Sequence, residues 1–244
     1  MKYKCITGGP ISENCYLLID EKTNQAAVVD PGFLNDALLN EIKKYTVQRI
    51  LLTHGHFDHI WEADRLHEML GVPVCAYETE AAFAADDKQN GSLLMMYESV
   101  TCKVHEAFKD GETFQIGEVP VTVLHTPGHT AGGVSYITPD AVFTGDTLMG
   151  YSVGRCDLPT GNSAELRESL KKLAVRKSRY LRRPRPRDDA GRRKAPKSVF
   201  IKENVWFYIL SITLIIMRRK TSAACFTRLT KSRYSTNLCR AMKT

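Results

Sequence analysis

Residues 54–59 read His-Gly-His-Phe-Asp-His, three imidazoles and a carboxylate in six positions directly behind the apolar run "RILLT" at 49–53. Neutral imidazole nitrogen and carboxylate oxygen are the donors taken by zinc, manganese or iron, so the pattern points to metal binding. Gly55 lets the backbone turn tightly enough for His54 and His56 to face one ion. A polar loop that is rich in histidine by chance is the alternative, and four ligand-type residues in six positions disfavour it. Two further places carry ligand types. In "LHTPGHTAGG", residues 124–133, Pro127 and Gly128 shape a turn that presents His129 just past a strand. In "AVFTGDTL" Asp146 follows the apolar run Ala141 to Phe143. Each alone is weak, because a Gly-Asp after a strand is usually a turn, and His125 reads as a structural residue rather than a ligand.

These side chains need a scaffold. Short apolar runs punctuated by turn residues, "CYLLI" at 15–19, "AAVVD" at 26–30, "RILLT" at 49–53 and "VTVLH" at 121–125, read as strands. "FLNDALLNEIKKY" spaces Leu34, Leu38, Ile42 and Tyr45 as a surface helix does; "EADRLHEML" at 62–70 and "SAELRESLKKLA" at 163–174 repeat the pattern, the latter with Ser163 and Glu165 available to its start. Mixed strands and helices in this order mean an α/β layered protein. With "RILLT" as a buried strand, residues 54–59 form the loop at its carboxyl end, where α/β proteins place their chemistry.

The net charge of +7 averages two unlike pieces. Up to Ala174 there are 14 Lys plus Arg against 24 Asp plus Glu, a balance of −10; from Val175 onward there are 20 against 3, a balance of +17. All seven histidines (His54, His56, His59, His67, His105, His125 and His129) lie in the acidic piece. The seven cysteines include no C-x-x-C pair and read as reduced, mostly buried thiols. The first residues show no apolar secretory core, which sets a cytoplasmic expectation. The segment 175–198 is Arg/Pro-rich and aperiodic, the composition of a disordered chain. The apolar run at 205–217 has 13 residues, short of the about 20 a spanning helix needs, so membrane association of the tail is disfavoured. Its charge suits only non-specific contact with nucleic acid or acidic lipid, and no specific nucleic-acid partner is expected.

Taken in order, T-H-x-H-x-D-H, T-P-G-H-T and T-G-D-T-L resemble the metallo-β-lactamase fold hydrolases, in particular their glyoxalase II-like (hydroxyacylglutathione hydrolase-like) branch. The resemblance covers roughly residues 1–174 and includes "ENCYLL", "VVDPG" and "SVGRCDLPTGN". It implies an αββα sandwich with a dinuclear centre. His54, His56 and His129 would hold the first metal, Asp58 and His59 would serve the second, and Asp146 would bridge them. Asp30 would hydrogen-bond the ligand loop from behind. Two zinc ions are implied, with iron or manganese as alternatives. The implied chemistry is hydrolysis of a small-molecule thioester by a metal-bound hydroxide, with Asp58 orienting the nucleophile. Tyr151 and Arg155 are the nearby candidates for substrate binding, although Arg155 could equally pair with Asp157.

The chain departs from the family at its end. Members close with a further strand and a P-G-H-G-like loop whose histidine completes the second metal site, and no histidine follows His129 here. The expected fold therefore lacks its last strand and ligand loop, and the expected second site is weak. Two other readings follow: a mononuclear iron enzyme like the persulfide dioxygenases, using His54, His129 and Asp146, and a truncated metal-binding protein with little activity.

Overall fold

Alternation along the strands explains the architecture. In β2 (Glu13–Asp20), Cys15, Leu17 and Ile19 join one apolar cluster and Leu18 joins another, with Tyr16 packed against that second cluster. β3 (Gln25–Val29) divides in the same way, Ala26 and Val28 from Ala27 and Val29. So does β5 (Val74–Tyr77), Val74 and Ala76 from Cys75 and Tyr77. A period of two with both faces apolar is what a strand covered on both sides requires. These strands and β1 (Lys2–Gly8), β4 (Thr46–Leu51) and β6 (Glu106–Phe108) form a six-stranded sheet in the order β1-β2-β3-β4-β5-β6. Its first three strands run antiparallel, and β3 to β6 run parallel.

A second, antiparallel sheet has the order β10-β9-β8-β7, from β7 (Thr113–Ile116), β8 (Val119–His125), β9 (Val134–Ile137) and β10 (Val142–Phe143). Its Ile116, Val121, Val123, Val134, Tyr136 and Phe143 pack into the cluster between the sheets. Helices α1 (Asp36–Ile42), α2 (Phe57–Ile60) and α3 (Ala63–Leu70) send Leu38, Ile42, Phe57, Ile60, Ala63 and Leu66 into the other cluster, over the outer face of the six-stranded sheet. The short helices α4 (Glu80–Ala84) and α5 (Ser92–Met95) follow β5. On the far side α6 (Ser163–Tyr180) buries Leu166, Leu170 and Leu173, and Ser169 Oγ donates to the Pro127 carbonyl at 2.7 Å. The layers are helix, sheet, sheet, helix.

This computed structural model describes residues 1–149 and 152–180. Tyr151, the basic segment beyond 180 and the apolar run at 205–217 lie outside the described residues. Among the described residues no strand follows Val142–Phe143, no helix is long and apolar enough to cross a membrane, and Cys5, Cys15, Cys75, Cys102 and Cys156 form no disulfide.

The helix expected at 163–174 runs on through Tyr180, so the first six residues of the segment expected to be disordered from Val175 are helical. Three further expectations need correction. Residues 54–59 are not one loop: Phe57 N–H donates to Asn90 O at 3.2 Å, His59 N–H to His56 O at 3.0 Å, and Phe57 and Ile60 bury their side chains, which winds α2 there. Leu34 and Tyr45 flank α1 instead of belonging to it. The start of α6 is capped by Asn162, whose Oδ1 accepts from Ala164 N–H at 2.9 Å, rather than by Ser163.

Candidate metal centre

The carboxyl ends of three adjacent parallel strands and two strands of the second sheet meet at one edge. Asp30 follows β3, Thr53 to His59 follow β4, and Glu80 follows β5. From the other sheet His129 follows β8, and Asp146 lies on a 3₁₀ turn (Gly145–Thr147) after β10. The sheets are tied beside this edge: Val134 N–H donates to Thr53 O at 2.8 Å, and the buried Tyr136 hydroxyl to Leu52 O at 2.7 Å.

One end of the site is made of imidazoles. Asp30 accepts from Thr53 N–H and from Thr53 Oγ1–H, both at 2.7 Å. With its proton given to Asp30, Thr53 Oγ1 accepts from His54 Nδ1–H at 3.0 Å, which leaves the lone pair of His54 on Nε2. That nitrogen is buried without a hydrogen-bonding partner, as is Nε2 of His56. His129 is oriented likewise: its Nδ1–H donates to the Arg155 carbonyl at 2.7 Å, and its Nε2 faces His56 Nδ1 at 2.9 Å. Donation from the outer ring nitrogen to a fixed acceptor is how metal-ligating histidines are held. The ligand atoms of His54, His56 and His129 all lie within 4.8 Å of one another. Burial, with neighbouring imidazoles adding, holds His54 well below the usual imidazole range and His56 at about 3; burial also lowers His129. All three are neutral at pH 7, the form that binds metal.

The other end is made of carboxylates around one imidazole. His59 Nε2 lies 3.5 Å from Asp58 Oδ2 and 3.5 Å from Asp146 Oδ1; its Nδ1 lies 3.0 Å from Asp30 Oδ2, at ion-pair distance though not in hydrogen-bonding geometry. Burial opposes a proton on His59, but Asp58, Asp30 and Asp146 outweigh it and push His59 well above its ordinary value. Asp146 is held at about 2, because its contact with His59 overcomes the cost of burial, whereas burial wins at Asp58 and raises it. The second oxygen of Asp146 lies 3.7 Å from His129 Nε2, so this carboxylate spans both ends. His54, His59 and Asp146 form a second group with ligand atoms within 4.8 Å of one another. Such a donor set fits divalent transition ions: nitrogen-rich at one end, oxygen-rich at the other, with buried ring nitrogens that the protein itself does not satisfy. A cavity of about 340 Å³ opens on Asp58, His59 and Asp146, with Tyr16, Phe143, Leu148 and Met149 among its apolar lining.

Other expected residues are placed differently. Arg155 serves the site through its backbone carbonyl, while its guanidinium makes two 2.7 Å hydrogen bonds to Asp157 at the surface. His67 is bonded to Val72 O at 2.7 Å and stacked on His105, and His125 stacks on Tyr77; none of these belongs to the ligand groups. Gly55 is absent from the left-handed region, so it is required for space rather than for a turn: a Cβ there would sit 2.9 Å from Phe83 and 3.1 Å from Ala84. Sequence reasoning missed Glu80. It is 2% exposed, its Oε2 accepts from Gly55 N–H at 3.2 Å, and its Oε1 accepts from Gly132 N–H at 3.1 Å and from Thr130 Oγ1–H. Burial outweighs these bonds and pushes Glu80 up to about 6.

Comparison with known proteins agrees with this architecture. Residues 8–188 match the metallo-β-lactamase superfamily. A protein of Bacillus subtilis (strain 168) named as a probable metallo-hydrolase, YqgX, is 37% identical over 175 residues, covering 70% of this chain and 82% of the relative. The crystal structure of the BLEG-1 B3 metallo-β-lactamase superposes with a TM-score of 0.65 at 33% identity, covering 70% of this chain and 84% of that one. That of TTHA1623 in a di-iron-bound form does so with a TM-score of 0.60 at 31% identity, covering 70% and 86%. By fold, by the order of its motifs and by these matches, the chain belongs to the metallo-β-lactamase superfamily.

Proposed function

We propose that this protein is a metal-dependent hydrolase of small-molecule thioesters, of the glyoxalase II type, that holds two divalent ions, zinc by preference. The observation that carries the reading is Asp146, whose two oxygens face His59 at one end and His129 at the other. His54, His56 and His129 would hold one ion, and Asp58 and His59 the second. Two ions held there would supply a water molecule whose pKa is lowered from about 15.7 toward 7 and would polarise a carbonyl oxygen. The chain's own groups do the rest. Asp58, half-buried at the cavity wall, would orient the attacking water through its carboxylate, and Asp30 fixes His54 through Thr53. Tyr16, Phe143, Leu148 and Met149 offer an apolar wall to the acyl or thiol part of a substrate and exclude bulk water from it.

The zinc-loaded full chain should hydrolyse a hydroxyacyl thioester of glutathione, and Asp58→Asn should abolish most of that activity. Thioesterase activity that is absent with zinc, iron and manganese alike would overturn the proposal. A second reading is an iron-dependent dioxygenase acting on a persulfide. Its two histidines and one carboxylate would be His54, His129 and Asp146, the last 3.7 Å from His129 Nε2, and the iron-bound form of the similar TTHA1623 supports iron as the metal. Oxygen uptake with a persulfide by the iron-loaded chain, without thioester turnover, would decide for it.

A further inference from the structure

We infer that Glu80 is a positioning residue that fastens the two histidine-bearing turns to each other and so sets the separation of His56 and His129. The inference rests on the metal-centre reading above. The turns come from different sheets: His54 to His56 follow β4 of the six-stranded sheet, and His129 follows β8 of the four-stranded one. Glu80 is the acceptor they share. One carboxylate oxygen takes the N–H of Gly55, the residue between His54 and His56, and the other takes the hydroxyl of Thr130, the residue after His129, and the N–H of Gly132.

The chemistry of the group fits the task. A buried carboxylate without a cation is costly unless donors satisfy both oxygens, and no ion pair to Glu80 occurs among the described residues. Its donors are two backbone N–H groups and one hydroxyl, each on a ligand turn, so the carboxylate is satisfied only while the turns stay together. The fit is close: a Cβ on Gly132 would lie 2.7 Å from Glu80 Cγ. Glutamine cannot substitute, because its NH₂ would face a donor on one turn or the other. The ring nitrogens of His56 and His129, 2.9 Å apart, are the pair whose spacing depends on this fastening.

The test uses the full chain, stripped of metal and titrated with Zn²⁺ against a chromophoric chelator, with the visible spectrum of the Co²⁺ form and far-ultraviolet circular dichroism alongside. Glu80→Gln should keep its folded dichroism, bind Zn²⁺ roughly 10- to 100-fold more weakly and change the Co²⁺ spectrum, the effect typical of losing a partner behind a ligand. Thr130→Val, which removes one donor, should weaken binding less, and Thr130→Ser, which keeps the hydroxyl, should restore it. Folded Glu80→Gln with wild-type affinity and spectrum would overturn the inference. Should Glu80→Gln fail to fold, Thr130→Val decides: weakened binding that Thr130→Ser restores supports the fastening, and unchanged binding defeats it. Wild-type chain that binds no Zn²⁺ would instead overturn the metal-centre reading, and this inference with it.

Discussion

His54, His56 and His129 share one pocket with His59, and all four are almost completely buried, yet burial leaves them in opposite states. The first three are pushed below the imidazole range by lost hydration, with neighbouring imidazoles adding at His54 and His56; His59 is pushed above it by Asp58, Asp30 and Asp146. The contrast teaches that desolvation sets the scale and the nearest charges set the sign. At the imidazole end the protein keeps lone pairs available. At the carboxylate end it concentrates negative charge, and the proton on His59 occupies a place that suits a cation. The two ends differ in what they attract, and Asp146 reaches both with its two oxygens.

The hardest blow to this contrast is removal of an imidazole from the nitrogen-rich end. His129→Ala should lose bound metal by more than the roughly 10- to 100-fold typical of an outer partner, whereas His67→Ala, whose ring is bonded to Val72, should retain it. Elemental analysis of the two variants checks this, and equal metal content would erase the distinction between ligand and structural histidines. Next, Asp58→Asn should spare the nitrogen-rich end and weaken the other, lowering metal content toward one ion per chain and thioester turnover by roughly 10²- to 10⁴-fold.

A pH titration of the metal-free protein reads the two signs separately. His56 has a folded value of about 3 against an ordinary 6.5, so the unfolded chain takes up its proton first as pH falls. Stability should therefore drop between 6.5 and 3, by about 1.4 kcal/mol per pH unit for each such histidine. His59 has the opposite sign: its raised folded value adds stability that is fully present below 6.5 and is lost as pH rises through that folded value. Denaturant midpoints across pH should show a flatter acid limb in His56→Gln and a flatter alkaline limb in His59→Gln. The smallest effect is expected at Arg155→Ala. Its surface pair with Asp157 is screened by solvent and adds little to stability, and metal content should match wild type because the carbonyl remains.

What was legible in the sequence followed from side-chain type and periodicity. β2, β3, β4 and β8 are apolar runs long enough to stand out, and the six ligand-type residues lie in three short motifs. The order of those motifs pointed to the family, which residues 8–188 match. What was not legible has a common cause. β10 has two residues and β6 three, too few for any alternation to register. The turn of helix at Phe57–Ile60 depends on a carbonyl of Asn90, more than thirty positions away. Glu80 in "YETEAAF" reads as one of several surface acids, and nothing local marks it as the acid that meets Gly55, Thr130 and Gly132. The sequence also directed attention to the wrong part of Arg155, since a side-chain reading is blind to peptide groups.

That peptide group bears on how the chain can drift among its relatives. The carbonyl of residue 155 orients His129, and just before it Gly154 N–H donates to Asp146 O at 2.7 Å, so backbone groups tie Gly154 and Arg155 to the site. Almost any amino acid at 155 would keep the imidazole in place, whereas one residue inserted or deleted between Asp146 and Gly154 would shift the carbonyl away from it. A change of letter at 155 should therefore be tolerated better than a change in the number of letters before it.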